Sequence, residues 1–158
     1  MKKPIIAGNW KMNLTFSEAT TLIESLGSFS FDDSINDVII FPPSIYLSHA
    51  INQCQNTAIQ VGCQHSYFES SGAYTGQISN EQLRSIQCQH LLIGHSERRT
   101  LFHESNHHVN QNVHSALSHS LRPMVCIGET LSERESNQTF DVIKTQLTEG
   151  LQSVKEED

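Results

Sequence analysis

Two short segments carry residue types that could do chemistry together. Asn9-Trp10-Lys11-Met12-Asn13 closes an apolar run that begins at Ile5. In a parallel α/β chain functional groups gather at the carboxyl ends of strands, and a lysine placed there holds an anion such as a phosphate by charge. The alternative for Lys11 is an ordinary solvated loop lysine. Gly94-His95-Ser96-Glu97-Arg98-Arg99 follows a second apolar run. Gly94 permits a tight strand exit, and His95 then stands at the positive end of a new helix, which favours the neutral ring. Such a ring donates an N–H to a carbonyl. Glu97 reaches Lys11 if both strand ends face one centre. The alternative is a surface histidine beside a local charge pair.

Two further groups are weaker. His103, His107 and His114 fall on one face of a helix, beside His108, and a metal face is conceivable. The same projection sets them opposite Val109, Val113 and Ala116, on the solvated side, so a surface histidine patch is the expectation. Cys126-Ile127-Gly128-Glu129-Thr130 leads into Glu133-Arg134-Glu135. Glu129 is a carboxylate base by position or, as expected, a structural group paired with a nearby arginine or backbone N–H. No G-x-x-x-x-G-K-[ST], G-x-G-x-x-G or G-x-S-x-G occurs, which removes support for nucleotide binding and serine hydrolysis.

The elements that position these residues follow from periodicity. Ile5 to Asn9, Val38 to Phe41, Ile59 to Cys63, Leu91 to Gly94 and Met124 to Ile127 are apolar runs rather than alternating ones, as in strands covered on both faces. Ala19, Leu22, Ile23 and Leu26 mark a helix with Thr15 and Glu18 as a capping box and Gly27 as its stop. Ser79 and Gln82 form a second box ahead of Leu83 and Ile86. Val109, Val113, Ala116 and Leu117 mark another helix, Phe140, Ile143, Leu147 and Leu151 a further one, and Pro42-Pro43-Ser44 opens one after the second strand. The order is strand then helix five times, which predicts a parallel sheet with right-handed crossovers. The long polar stretch from His65 to Gly76 is predicted to be a functional loop. A closed (β/α)8 barrel takes about 250 residues, so five units do not close one.

Composition bounds the rest. The chain has 158 residues, enough for one domain, and a net charge of −7, which argues against a nucleic-acid footprint. Cys54, Cys63, Cys88 and Cys126 show no metal-ligand spacing and are expected as reduced thiols in the cytosol. The amino-terminal apolar stretch is too short for a signal peptide, and no run approaches the roughly 20 apolar residues of a membrane span. A cytoplasmic protein is expected.

Five segments together carry a family likeness. Ala7-Gly8-Asn9-Trp10-Lys11-Met12-Asn13, Phe41-Pro42-Pro43, Gly72-Ala73-Tyr74-Thr75-Gly76, Ile93-Gly94-His95-Ser96-Glu97-Arg98-Arg99 and Cys126-Ile127-Gly128-Glu129-Thr130 resemble the triosephosphate isomerase family in order and spacing. The resemblance implies an α/β fold of the (β/α)8 TIM-barrel family, here an incomplete barrel of about five parallel strand-helix units spanning 1–158, with units 6 to 8 absent. It implies interconversion of dihydroxyacetone phosphate and glyceraldehyde 3-phosphate through an enediolate, in glycolysis and gluconeogenesis. His95 would be the electrophile, Lys11 and Asn9 would bind the triose phosphate, Glu97 would orient Lys11, and Ser96 would brace the region. Thr75 would lie on a dimer loop that enters a neighbouring subunit of a homodimer. No metal, organic cofactor, nucleic acid or membrane is implied. Gln77 stands where the family usually has Glu, and His65 where Asn is common after V-G-x-Q. The family's glutamate base lies in a segment like A-Y-E-P-V-W, which this sequence does not contain, so the chain alone is expected to be inactive. The alternative is a non-catalytic module acting through self-association or fragment complementation at open strand edges.

Overall fold

A computed structural model describes residues 3–29 and 31–155; Met1, Lys2, Ser30 and Glu156 to Asp158 lie outside the described residues. Five strands form: β1 Ile5–Asn9, β2 Asp37–Phe41, β3 Ile59–Cys63, β4 His90–Ile93 and β5 Arg122–Val125. They pair in sequence order and every pair is parallel, so the sheet curls as a half-barrel. The helices are α1 Phe16–Gly27, α2 Leu47–Cys54 after a 3-10 turn at Ser44–Tyr46, α3 Asn80–Ser85, α4 Ser96–Leu101, α5 Asn106–Ser118, α6 Leu131–Glu135 and α7 Thr139–Gly150. The expected capping boxes form at Thr15/Glu18 and Ser79/Gln82, and a third, Thr130/Glu133, opens α6.

Side-chain alternation along the strands divides the core in two. Ile40, Val61, Cys63, Leu91 and Ile93 face the helices and pack with Ile23, Leu47, Ala50, Leu83, Val109 and Val113. Ile39, Phe41 and Leu92 face the concave side, with Met124 and Cys126 against them. Gly62 belongs to the concave face. A Cβ there would lie 2.3 Å from Phe41 Cε1 and 2.8 Å from His90 Cβ, so only glycine lets the buried ring lie flat on β3.

A polar ladder crosses the amino-terminal end of that face. Gln60 Nε2 donates to Asp37 Oδ1 at 3.3 Å, and His90 Nε2 lies 2.6 Å from Gln60 Oε1. Burial, reinforced by Arg122 and opposed by Asp37, holds His90 below the ordinary histidine value. The unfolded chain therefore takes up a proton first as pH falls. His90 contributes stability above the unfolded value of about 6.5 and loses it as pH drops from there through the folded value. Urea unfolding should show the wild-type midpoint falling further between pH 7.5 and 5.5 than that of His90→Gln; equal falls would remove His90 from the balance.

Several boundaries differ from the sequence expectation. β5 lies two residues earlier than Met124 to Ile127, because its register pairs Arg122 with His90 and Val125 with Ile93. Pro123 is tolerated there: the amides of Arg122 and Cys126 point to β4, donating to Gln89 and Ile93 oxygens, so the missing N–H of Pro123 falls on the opposite edge. β4 starts at His90, and Gly94 leaves the strand at φ 70°, where a Cβ would lie 2.8 Å from Val109 Cγ2. Gly27 is the last residue of α1 and not its stop; Ser28 caps, its amide donating to Glu24 O.

Among the described residues β1 pairs only with β2 and β5 only with β4. β1 is consequently not covered as a central strand would be: Ile5 is 49% and Ile6 57% exposed. The expected apolar stripe of α7 is also partly open, with Phe140 86% exposed, because α7 meets α5 at its carboxyl end, where Gly150 is buried. There Asn106 Nδ2 donates to Glu149 Oε2 and Asn110 Nδ2 to Gly150 O. The one-face histidine arrangement is corrected too. His103 lies before α5 with φ 55°, off the helix, and His114 Nε2 contacts Gln152 O at 2.8 Å. No group of three or more His, Cys, Asp or Glu suited to a metal occurs among the described residues. Cys54, Cys63 and Cys88 are buried free thiols and Cys126 is half-buried. No helix is long and apolar enough to cross a membrane.

The stretch after β3 is long and polar, as expected, and it is packed. Tyr67 N–H donates to Ile78 O across its neck, and Tyr67 stacks between Phe68 and Tyr74 at 4.4 and 4.8 Å. Its root is buried: Ser66 Oγ donates to Asn80 Oδ1 at 2.6 Å, and Asn112 Nδ2 of α5 donates to Ser66 O at 2.9 Å. Buried polar groups of this kind hold position because each has a partner.

Candidate active site

The carboxyl ends of β1 and β4 bring Lys11 and His95 to one place. Lys11 Nζ donates to Glu97 Oε1 at 2.6 Å, a contact between residues 86 apart in sequence. Lys11 has φ 54°, a left-handed backbone that a long side chain adopts only when held. Two side chains hold it. Asn9 Oδ1 accepts the Lys11 N–H at 2.9 Å, and Gln64 at the end of β3 uses its carboxamide to donate to Lys11 O and to Phe41 O, at 2.9 and 2.8 Å. Asn9 therefore acts on the Lys11 backbone. Gln64 was not singled out by sequence reasoning; its signals were its place directly after the β3 run and in the V-G-x-Q segment.

His95 is the N-cap of α4. Its Nδ1 faces the Glu97 amide N–H at 3.4 Å and also lies 3.3 Å from Glu97 Oε2. These contacts ask for opposite tautomers. The amide proton is fixed by the helix, while the Glu97 carboxylate already accepts from Lys11, so we assign the lone pair to Nδ1 and the proton to Nε2. The Nε2–H is then the donor available to a substrate oxygen. The Lys11 hydrogen bond, assisted by the Lys11 charge, holds the Glu97 carboxyl below the usual carboxylate range. The pair is thus intact above the unfolded value of about 4.3 and is lost as pH falls through the lower folded value.

Arg99, also not singled out, braces the strand ends. Its Nε donates to Gly94 O at 2.8 Å, its Nη1 to Asn106 Oδ1 at 2.6 Å and its Nη2 to Cys126 O at 3.4 Å. Ser96 is exposed and borders a cleft of about 750 Å³ between α4, α6 and α7, lined also by Arg99, Gly128, Glu129 and Gln146. Glu129 is the structural carboxylate expected: Arg134 Nε donates to its Oε1 at 2.7 Å. Its hydrogen bonds, to its own backbone and to Arg134 first, keep it ionised to lower pH than an ordinary glutamate. Thr75 lies on the exposed loop tip, and among the described residues no hydrogen bond joins it to Lys11 or His95.

This arrangement presents an ammonium, an imidazole N–H and, among the described residues, only the paired carboxylate of Glu97 beside them. It suits polarising a carbonyl next to an anionic group. The sequence matches the family model described as triosephosphate isomerase over residues 4–158. The chain belongs to the triosephosphate isomerase family. It is 47% identical over all 158 residues to a triosephosphate isomerase of Caldanaerobacter subterraneus subsp. tengcongensis, and 46% to one of Thermoanaerobacter pseudethanolicus. In both cases the whole of this chain is matched to 63% of the relative's length. The triosephosphate isomerase likeness thus extends through every strand described here, and the half-barrel is that family's fold in incomplete form.

Proposed function

We propose that this chain supplies the phosphate-binding and electrophilic half of a triosephosphate isomerase site. The observation that carries the reading is the Lys11–Glu97 contact beside His95, which unites the ends of β1 and β4. Dihydroxyacetone phosphate would lie with its phosphate and developing oxyanion near the Lys11 ammonium. His95 Nε2–H would donate to the carbonyl oxygen. A carboxylate base then takes a proton from the carbon bearing the hydroxyl, the C=O electrons move onto oxygen, and an enediolate forms. Return of the proton to the former carbonyl carbon, with the hydroxyl proton passing from the first oxygen to the second, gives glyceraldehyde 3-phosphate with no net change in atoms or electrons. Glu97 and Asn9 are positioning residues for Lys11, and Ser96 would brace the region. Glu129, tied to Arg134, is not that base.

The base is taken to come from outside residues 1–158, in the portion of the relatives that this chain does not match. The complete protein would be a cytoplasmic homodimer using the loop around Thr75, serving glycolysis and gluconeogenesis, with no cofactor. Binding is testable on the chain itself. Titrating dihydroxyacetone phosphate into 15N-labelled protein should shift the Lys11 and His95 signals together, and Lys11→Met should abolish both shifts. Shifts that persist in Lys11→Met, or that fall elsewhere, would refute the assignment.

A second reading is favoured by the one-sided pairing of β1 with its exposed Ile5 and Ile6. Such an edge accepts another strand, and a non-catalytic module would use it for self-association or fragment complementation. Size-exclusion chromatography that shows a monomer at all concentrations would remove the self-association form of this reading.

A further inference from the structure

His65, at the root of the loop that follows β3, has a ring nitrogen with two incompatible neighbours. Nε2 lies 2.9 Å from the acceptor Gln77 Oε1 and 3.1 Å from the donor Arg98 Nη2. A neutral ring whose Nδ1 carries the proton accepts from Arg98 through Nε2 and cannot donate to Gln77. A protonated ring donates to Gln77 and cannot accept from Arg98. We propose that His65 is a pH-operated latch, in which protonation trades the Arg98 contact of α4 for the Gln77 contact of the loop and so loosens the loop root from α4.

The surroundings are built for two states. On the other side of the ring, Nδ1 lies 3.3 Å from Glu104 Oε1, an acceptor that suits both forms. Arg98 has places to stay when Nε2 turns donor: its Nε and Nη2 each lie 2.8 Å from Glu104 Oε1, and its guanidinium lies 4.3 Å over the Phe102 ring. Among the described residues, the titratable groups around His65 are Arg98 from α4, Glu104 and His103 from the segment before α5, His108 from α5, Tyr67 from the loop itself and Cys63 from β3. All but Cys63 line one cavity of about 180 Å³ with His65; Cys63 Sγ donates to the His65 carbonyl. The pair Glu104 and Arg98 is mutually satisfied, so adding a proton at His65 adds a positive charge beside a guanidinium. Burial above all, then Arg98, disfavours that charge, while Gln77 and Glu104 favour it, and the balance leaves His65 below the ordinary histidine value. The ring is therefore neutral and latched to Arg98 at neutral pH, and the trade occurs only below the ordinary histidine value. The inference does not depend on the proposed catalytic activity, because it is read on the chain without substrate.

The test is NMR of the 15N-labelled chain between pH 7.5 and 5. Long-range spectra report the His65 ring nitrogens, while the Arg98 Nε–H and the Gln77 side-chain amide are followed directly. The expected result is a His65 midpoint below about 6.5, with the Arg98 and Gln77 signals moving at that same midpoint. Gln77 is exposed, so Gln77→Leu leaves the fold intact and removes the acceptor for the charged ring. It should lower the His65 midpoint by about one pH unit, the worth of one hydrogen bond to a charged group. His65→Asn should abolish the Arg98 movement. Arg98 and Gln77 signals that ignore the His65 titration would overturn the latch. So would a midpoint above the ordinary value, a ring that stays neutral until the chain unfolds, or an unchanged midpoint in Gln77→Leu.

Discussion

Lys11→Met, assayed in the presence of a carboxy-terminal chain that supplies the base, is expected to lower kcat/KM by about 10² to 10³-fold, since losing one member of a close charge pair costs roughly 2–5 kcal/mol. The loss has two physical parts. The anionic substrate forfeits its ammonium, and Glu97, whose carboxylate accepts from Lys11 at 2.6 Å, becomes an uncompensated negative charge facing the same anion. Stability should hardly change, because both side chains are about half exposed and exposed ion pairs contribute little. Lys11→Arg should not restore activity: a planar guanidinium cannot take the place of a compact ammonium anchored on a left-handed backbone. Steady-state kinetics with a parallel thermal melt separates these outcomes, and a variant with near wild-type kcat/KM would remove Lys11 from the substrate site.

Gly62→Ala is expected to be the most damaging single methyl in the chain. Its Cβ would sit 2.3 and 2.7 Å from two atoms of the Phe41 ring and 2.8 Å from His90 Cβ. Phe41 is wholly buried between β3 and the concave cluster, so the ring has no free direction in which to yield. Overpacking costs typically about 1–3 kcal/mol and more when nothing gives, against a total stability of about 5–15 kcal/mol. A fall in the urea midpoint equivalent to about 3 kcal/mol or more is expected. Phe41→Leu should partly rescue it in a double-mutant cycle, since the branched side chain vacates the space of the ring edge. Strictly additive effects would show that the clash is relieved elsewhere.

The sequence was most informative where one local rule decided the outcome. Non-alternating apolar runs marked β1 to β4 because both faces of a parallel strand are usually covered, and capping boxes marked helix starts because side chain and amide meet within three residues. It was less informative where partners decide. The limits of β5 depend on the register against β4, which places Arg122 opposite His90 and carries Pro123 on a free edge. The exposure of Ile5, Ile6 and Phe140 depends on what packs over them and cannot be read from their apolar character. At the site, Lys11, His95 and Glu97 were legible as charged or titratable groups at strand exits. Gln64 and Arg99 were not, because their task is to donate to backbone carbonyls of distant strands, and any chain position can supply a carbonyl. The expected surface exposure holds for His103, His107 and His108, while the one-face projection of the histidines failed for a related reason. A helical projection assumes one continuous helix, and the left-handed backbone at His103 breaks it before α5 begins.

Residues 1–158 are proposed to hold the electrophile and the phosphate-binding lysine of a triosephosphate isomerase, with the base coming from outside them. Isomerisation of dihydroxyacetone phosphate should be measured with the purified chain alone, with the carboxy-terminal portion of a relative added, and with His95→Gln in the same mixture. The expected results are negligible turnover by the chain alone, turnover on mixing, and about 10² to 10³-fold less for His95→Gln, the usual cost of removing one oxyanion donor. Turnover by residues 1–158 alone near that of a full-length enzyme, or undiminished turnover by the His95→Gln mixture, would contradict the proposal.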